Sequence, residues 1–286
     1  MRYDIRLYGN FTYDIIVIRR ELLSERLGGG VYYSSIPFII DNKYNVKIYA
    51  VISPIIYYSS KLLRYIVQEH FSTRTNIFKL IYNGAKRTII VVDRAPQIDM
   101  CIKSEKADVS IVNPVLGEVS TSLLRRIRVD SKIVAIDIQG FARIVNKHNI
   151  IVTRRTSDSL EAIKLSNIVH MSLDEAIQLT QANNIDHITT KLSRISKNTL
   201  FIITNSENPP ILIFRNKYRI IGSRQKPVQD RTGAGDYFLS VFTKEYIEIN
   251  DEIKSMHYAL RETTKWLERR NASSQSTAPK PPPPNP

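Results

Sequence analysis

Asp230-Arg231-Thr232-Gly233-Ala234-Gly235-Asp236 is the stretch on which the reading of this chain turns. Gly233 and Gly235 can adopt backbone angles that other residues avoid, so consecutive N–H groups can converge on one negatively charged group. The residues that follow, Tyr237 to Tyr246 (YFLSVFTKEY), place apolar side chains at helical spacing with few breakers. The glycine turn therefore stands at a helix N-terminus, where the dipole favours a phosphate, and Asp236 projects into the same place. A plain glycine turn into a helix, with Asp236 in the first turn for dipole reasons alone, fits these seven residues equally well.

Composition weighs on that choice. Only 10 of 286 residues are glycine, about half of the usual share of 7 %. Half of those ten sit in two clusters, Gly28-Gly29-Gly30 and Gly233 with Gly235. A glycine-poor chain that keeps bare backbone in two places points to two places where backbone approaches a ligand.

The length allows one large α/β domain or two ordinary ones, with a substantial core. The lone Cys101 excludes an internal disulfide, and the opening MRYDIRLYGN lacks the basic-then-apolar layout of a signal peptide, so a cytoplasmic protein is expected. The longest apolar candidate, Val46 to Tyr58, is interrupted by Lys47, Ser53 and Pro54 and falls short of the about 18 residues that span a bilayer. The net charge of +14 raises the question of a nucleic-acid partner. Its basic pairs are scattered (Arg19-Arg20, Arg125-Arg126, Arg154-Arg155, Arg269-Arg270), with no long run and no aromatic-interleaved motif, which favours a generally basic solvated surface.

Along the chain, Ile5 to Tyr8 and Asp14 to Ile18 are expected as strands around Gly9-Asn10, and Asn10 and Asp14 stand where the carboxyl end of a strand would present them to a polyhydroxylated ligand or where they cap their own turn. Val31 to Ile40 is expected as a helix, Val46 to Ile52 as a strand, Ser59 to Phe71 as a helix, and Ile77 to Tyr82 with Thr88 to Val92 as a hairpin around Asn83-Gly84. From Val109 a strand, helix, strand rhythm sets in (109–112, 119–128, 133–138), the signature of a parallel sheet. Ile168 to Met171 is a further strand, and Ser172-Leu173-Asp174-Glu175 opens a helix with capping-box spacing. Leu200 to Thr204 is a strand, Ile211 to Phe214 and Tyr218 to Ile221 form a hairpin, and a last helix spans about 251–269 with the only tryptophan, Trp266. The proline-rich tail from residue 271 to 286 is expected to be disordered.

With both glycine clusters placed, the chain resembles the ribokinase-like (PfkB) family of carbohydrate and nucleoside kinases over about residues 5–270. Asp230 through Asp236 resembles the family's C-terminal signature, and Gly9-Asn10…Asp14 and Gly28-Gly29 its N-terminal elements. Asp137-Ile138-Gln139-Gly140-Phe141-Ala142-Arg143 and Ser172-Leu173-Asp174-Glu175 are most similar to the inositol kinase branch. The resemblance implies a three-layer α/β/α sandwich with a mostly parallel central sheet and a small β lid: one kinase domain over residues 1–270 with lid segments near 14–20 and 76–93.

It also implies an ATP-dependent, Mg2+-requiring transfer of a phosphate to a hydroxyl of a polyol or sugar, inositol among them. Asp236 would be the general base, and Gly233, Ala234 and Gly235 would hold the transferred group. Asn10, Asp14, Gly28, Gly29, Gln139 and Arg143 would bind the acceptor, and Thr204, Arg231 and Thr232 the nucleotide. Glu175 would support the metal through its water shell. The partners so implied are a small-molecule acceptor and a nucleotide, with homodimerisation through the lid as an open option; neither nucleic acid nor membrane is expected.

Three departures mark this chain. Arg231 replaces the usual Thr of the signature, Tyr33 stands near the glycine pair where sugar kinases often carry an amide, and Thr204-Asn205-Ser206-Glu207-Asn208-Pro209 lacks both glycines of the usual nucleotide loop. The phosphate donor is thereby left open. A nucleoside kinase of the same family and a kinase-fold protein that binds without turnover stand as the rival readings.

Overall fold

The computed structural model describes residues 2–18, 21–59, 62–66, 71–83, 86–99, 105–228 and 230–276. Strand β1 (Tyr3–Tyr8) buries Ile5 and Leu7 on one face and Tyr8 on the other, as a central strand covered on both sides must. The chain then leaves through β2 (Thr12–Ile18) and β3 (Glu21–Gly28), an antiparallel pair, and returns through α1 (Gly30–Ile39), β4 (Tyr44–Tyr49) and α2 (Pro54–Ser59). A second antiparallel pair follows, β5 (Asn76–Asn83) with β6 (Lys86–Asp93). Next come β7 (Ala107–Val112), α3 (Thr121–Asp130), β8 (Ser131–Asp137), the single turn α4 (Gln139–Ala142), the short pair β9 (Arg143–Val145) and β10 (Ile151–Thr153), and α5 (Ser157–Leu165). The remainder is β11 (Ile168–Ser172), α6 (Leu173–Thr180), α7 (Ile185–Ile195), β12 (Leu200–Asn205), β13 (Asn208–Phe214), β14 (Lys217–Ile220), α8 (Ala234–Ile249) and α9 (Glu252–Ser276).

The main sheet runs β14-β13-β12-β11-β8-β7-β1-β4, parallel from β12 to β4 and antiparallel at β13 and β14. Side-chain alternation assigns its two faces: Phe201 and Ile203 of β12 join one apolar layer, Leu200 and Ile202 the other. The first layer is closed by Leu123, Ile127, Ile163, Leu179 and Leu192 from α3, α5, α6 and α7, the second by Phe38, Leu239, Phe242 and Met256 from α1, α8 and α9. This is a three-layer α/β/α sandwich. A separate sheet, β3-β2-β5-β6, has a parallel seam between β2 and β5 and rests Phe78 and Leu80 on Val115 and Leu116 beside the ends of the parallel strands.

Two expectations give way. The helix expected over Ser59 to Phe71 is not there among the described residues; the helix is α2, with a 3-10 turn at Leu63–Tyr65 and single bridges from Ile66 to Ile48 and from Phe71 to Ile52. Pro54 fixes this placement, because proline is favoured in a first helical turn, where its missing N–H has no partner to lose. Residues 60, 61 and 67–70 lie outside the described set, as does Gly84 of the expected hairpin turn. At the other end α9 runs on to Ser276, so residues 271–276 are helical where the tail was expected to begin. Asn271 ties this stretch down by donating to Leu267 O at 2.9 Å and Asp230 O at 3.4 Å. Residues 277–286 lie outside the described set. No helix among the described residues is long and apolar enough to cross a membrane.

Candidate active site

A cavity of about 590 Å3 opens where the parallel strands end, between the main sheet, the small sheet and the start of α8. Ligands in open α/β sheets collect at this edge. The glycine turn forms its floor. Asp230 Oδ1 accepts from Thr232 N at 2.9 Å, and Gly233, at φ 77°, caps α8 in the left-handed region that favours glycine. A Cβ on Gly233 would stand 2.2 Å from the ring of Tyr33, so the position must be bare backbone. The turn is strapped on two sides: Arg26 of β3 reaches Asp230, and Arg270 of α9 donates to Thr232 O at 2.6 Å and Asp230 O at 2.7 Å.

Asp236 sits in the first turn of α8, buried and facing the cavity. Its Oδ1 accepts from Gln139 Nε2 at 3.1 Å and from Asn113 Nδ2 at 3.4 Å. Burial, reinforced by the negative charge of Asp137, pushes its carboxyl up to about 8, against the pull of His170 and Arg143. A carboxyl so poised can both hold and release a proton near neutrality, the range in which a general acid or base works. Asn113 is itself fixed, accepting from Asp137 N at 3.1 Å and donating to Ser34 of α1.

On the small-sheet side the cavity meets Asp14, Gly29, Arg143 and Arg87 with the apolar Phe78, Leu80 and Ile89. Burial pushes the Asp14 carboxyl up to about 6, opposed by a 2.8 Å bond from Thr12 Oγ1 and the charges of Arg26, Arg87 and Arg143. Arg143 donates to Val115 O at 3.1 Å, and burial lowers its pKa. Gln139 lines the cavity as well and donates to Asp236 Oδ1. Asn10 is placed elsewhere: its Nδ2 donates to Pro96 O at 3.2 Å and its Oδ1 accepts from Val51 N at 2.8 Å, so its amide is spent on backbone outside the cavity. Gly28 ends β3 beside Asp14 and is likewise off the cavity wall. Glu118, a residue the sequence reading passed over, holds this region by accepting from Asn10 N, Val115 N and Leu116 N at 2.7–3.1 Å.

On the opposite side Thr204, Arg231 and Thr232 line the cavity with Gln225, Lys226 and Leu267. Arg231 pairs with Glu207 at 2.8 Å across the tight β12–β13 hairpin, and Tyr82 OH lies 3.3 Å from Thr232 Oγ1. Glu175 also faces the cavity while its Oε2 accepts from Ser172 N at 2.8 Å and Ser172 Oγ at 3.0 Å, so the capping box is real. Among the described residues no three His, Cys, Asp or Glu side chains gather as a metal cage. Burial and then the charge of Asp137 push the Glu175 carboxyl up, a strain that a nearby cation would relieve. Glu175 thus faces the cavity where it would support a divalent ion that a ligand's phosphates and water would hold.

Asp137 and His170 belong to the site although the sequence reading gave neither a role. His170 stands between Asp137, at 2.8 Å, and Thr204, at 3.1 Å. A polar residue in the apolar run Ile168-Val169-His170-Met171 was the signal that could have found it.

No protein-family model matches the sequence, and no curated protein matches it. Solved structures do. A pyrophosphate-dependent kinase in the ribokinase family, solved as a sulfate complex, superposes with a TM-score of 0.78 at 19 % identity, covering 94 % of this chain and 99 % of that one. A pyrophosphate-dependent myo-inositol-1 kinase converted to a myo-inositol-3 kinase superposes with a TM-score of 0.76 at 19 % identity over 95 % and 98 %. Ribokinase from Arabidopsis thaliana, complexed with ribose and ATP, gives 0.68 at 14 % identity over 94 % and 93 %. The chain has the ribokinase fold along nearly its whole length.

Proposed function

We propose that this protein, whose fold is that of ribokinase-family kinases, is a small-molecule kinase that transfers a phosphoryl group to a hydroxyl of a polyol or sugar, inositol being the favoured acceptor. The observation that carries the reading is Asp236: a buried carboxylate raised to about 8, one residue beyond a bare glycine turn at a helix N-terminus, facing a cavity large enough for two small substrates. In this reading Asp236 takes the proton of the acceptor hydroxyl while the N–H groups of Gly233 to Gly235 hold the charge that develops on the transferred group. Gln139 orients Asp236 by its bond to Oδ1. Asp14 and Arg143 bind acceptor hydroxyls, and the apolar Phe78, Leu80 and Ile89 exclude water above them. A bound Mg2+ would neutralise charge on the donor phosphates, with Glu175 helping to organise its water shell.

ATP is the first donor in this reading, and the leucines and threonines of α9 along the cavity, Leu260, Thr263 and Leu267, offer a wall for its base. A specific feature favours a second donor, pyrophosphate. The residues that follow Thr204 make a two-residue hairpin turn closed by the pair of Asn205 and Asn208, with Glu207 engaged by Arg231, in place of a glycine-rich loop. Two of the three solved structures named above are of pyrophosphate-dependent kinases.

Transfer from ATP and from pyrophosphate, each measured against inositols, ribose, fructose and nucleosides with and without Mg2+, tests the reading. Inositol turnover with either donor is the expected result. Turnover of nucleosides alone would move the acceptor class, and no turnover of any pair would leave a binding protein.

A further inference from the structure

We propose that His170 is a positioning residue for the phosphoryl donor: clamped by Asp137, its ring fixes the Thr204 hydroxyl so that the O–H of Thr204 binds a phosphate oxygen of the donor. The inference rests on the kinase reading above and adds to it a part for a residue that reading does not use.

The strand register builds the relay. His170 of β11 lies beside Asp137 of β8 on one side and Ile202 of β12 on the other, and Ser172 pairs with Thr204 one step further on. A buried imidazole in an apolar strand is unfavourable unless both nitrogens are satisfied. Both are. Asp137 Oδ1 accepts from Gln139 N at 2.9 Å, and its Oδ2 stands 2.8 Å from His170 Nδ1. A carboxylate only accepts, so Nδ1 carries a hydrogen, and the remaining nitrogen, Nε2, meets Thr204 Oγ1 at 3.1 Å.

The protonation of that second nitrogen decides what Thr204 offers. With a hydrogen on Nε2 the ring fills a lone pair of Thr204, whose own hydrogen then turns toward the cavity as a donor for an anion. Without it Thr204 spends its hydrogen on the ring. Burial disfavours the imidazolium; against it the charge and hydrogen bond of Asp137 from β8, then the charges that Glu175 from α6 and Asp236 from α8 carry when ionised, hold its pKa above the ordinary histidine value. The ring also packs under the glycine turn: a Cβ on Gly235 would lie 2.7 Å from His170 Cε1. The ring, whose charged form these acids favour, therefore lies beneath the glycine turn, with the Thr204 hydroxyl at its edge. Pyrophosphate and the phosphates of ATP share the chemistry this arrangement recognises.

Thr204→Val, Thr204→Ser, His170→Gln and the Thr204→Val/His170→Gln pair test it, with the full chain and with folding checked by thermal melting. Donor binding is read by calorimetry with pyrophosphate and separately with ATP, and donor and acceptor KM and kcat are read wherever the wild type turns over. The expected result is a roughly ten- to hundredfold loss of donor affinity in Thr204→Val and in His170→Gln. Thr204→Ser should restore binding, the acceptor KM should not move, and the double variant should be no worse than the poorer single one. Which donor loses affinity identifies the source of the phosphate. Unchanged donor affinity in Thr204→Val, or additive losses in the pair, overturns the proposal while leaving the kinase reading in place. Donor binding that depends on Thr204 in a protein without turnover keeps the proposal and removes the kinase reading, and no binding of either donor removes both. Should His170→Gln fail to fold, unchanged donor affinity in Thr204→Val still overturns the proposal.

Discussion

Arg26 and Asp230, 204 residues apart in sequence, meet at 2.5 Å. The contact ties β3 of the small sheet to the first residue of the glycine turn, so the roof and the floor of the cavity are joined by one ion pair, half-buried on both sides. Burial alone would raise the Asp230 carboxyl, but Arg270 and Arg26 together with the N–H of Thr232 hold it below the usual carboxylate range.

Arg26→Gln should therefore cost about 1–2 kcal/mol, since Arg270 still stands 3.5 Å from Asp230 Oδ2 and a charge-assisted bond contributes about 1.5–3 kcal/mol. A group with a depressed folded pKa lends stability above its unfolded value and loses it as pH falls. The exchange should thus raise the pH at which acid unfolding begins. Urea unfolding at neutral pH and at pH 4 checks both statements, and an unchanged acid limb would contradict them.

Asp236→Asn should lower transfer by about 10²–10⁴-fold, the usual cost of a lost base. The same exchange should stabilise the free protein. The Asp236 carboxyl is raised from its ordinary value to about 8, so the folded state keeps a proton that the unfolded chain releases, and the stability this contributes at low pH drains away as pH climbs toward 8. The gain in Tm on substitution should grow between pH 4 and pH 8 and then level off. Wild-type turnover should rise through the same range, and a flat profile in both measurements would remove Asp236 from the mechanism.

Glu175→Gln keeps an acceptor for Ser172 N and Oγ, so the helix cap survives and the fold with it. What is lost is the charge. A weakening of Mg2+ affinity by roughly 10–100-fold is expected, the range typical of groups that act on a metal from outside its inner shell. An unshifted Mg2+ titration would confine Glu175 to capping.

Gly235→Ala places a methyl group where His170 Cε1 leaves 2.7 Å. Overpacking of this kind costs about 1–3 kcal/mol. The ring must give way, so the Thr204 contact should loosen and donor affinity fall together with Tm. Ala at this position with normal donor binding would show that the ring moves freely.

The glycine turn, the parallel rhythm and the hairpins at 76–93 and 211–220 were legible because each rests on local chemistry: Gly233 and Gly235 in a glycine-poor chain, continuous apolar runs, alternation around turns. Strand β3 was not. Its residues Glu21–Gly28 carry charges on an open face, and only pairing with β2 makes them a strand. Helices α5 and α7 were passed over for a related reason, since their polar surfaces dilute the apolar stripe formed by Ile163, Ile188 and Leu192. Within the candidate site, Asp236, Asp14, Gly29, Arg143 and Thr204 line one cavity. Asn10 looked like a ligand-binding amide because sequence cannot reveal that Pro96 O and Val51 N consume it. His170 went unnoticed because its partners come from neighbouring strands, 33 and 34 residues away.

The parallel seam between β2 and β5 has a consequence for the order of assembly. Each half of the small sheet pairs strands that are neighbours in sequence, but no tight turn can close a parallel pair, and the chain between β2 and β5 runs through α1, β4 and α2 on the main body. Loop closure over that distance is slow and entropically costly, which makes the seam a late step in folding and an early one to part. Amide hydrogens of β2 and β5 should accordingly exchange before those of β1 and β8, and the small sheet can unzip along this line while the glycine turn stays folded.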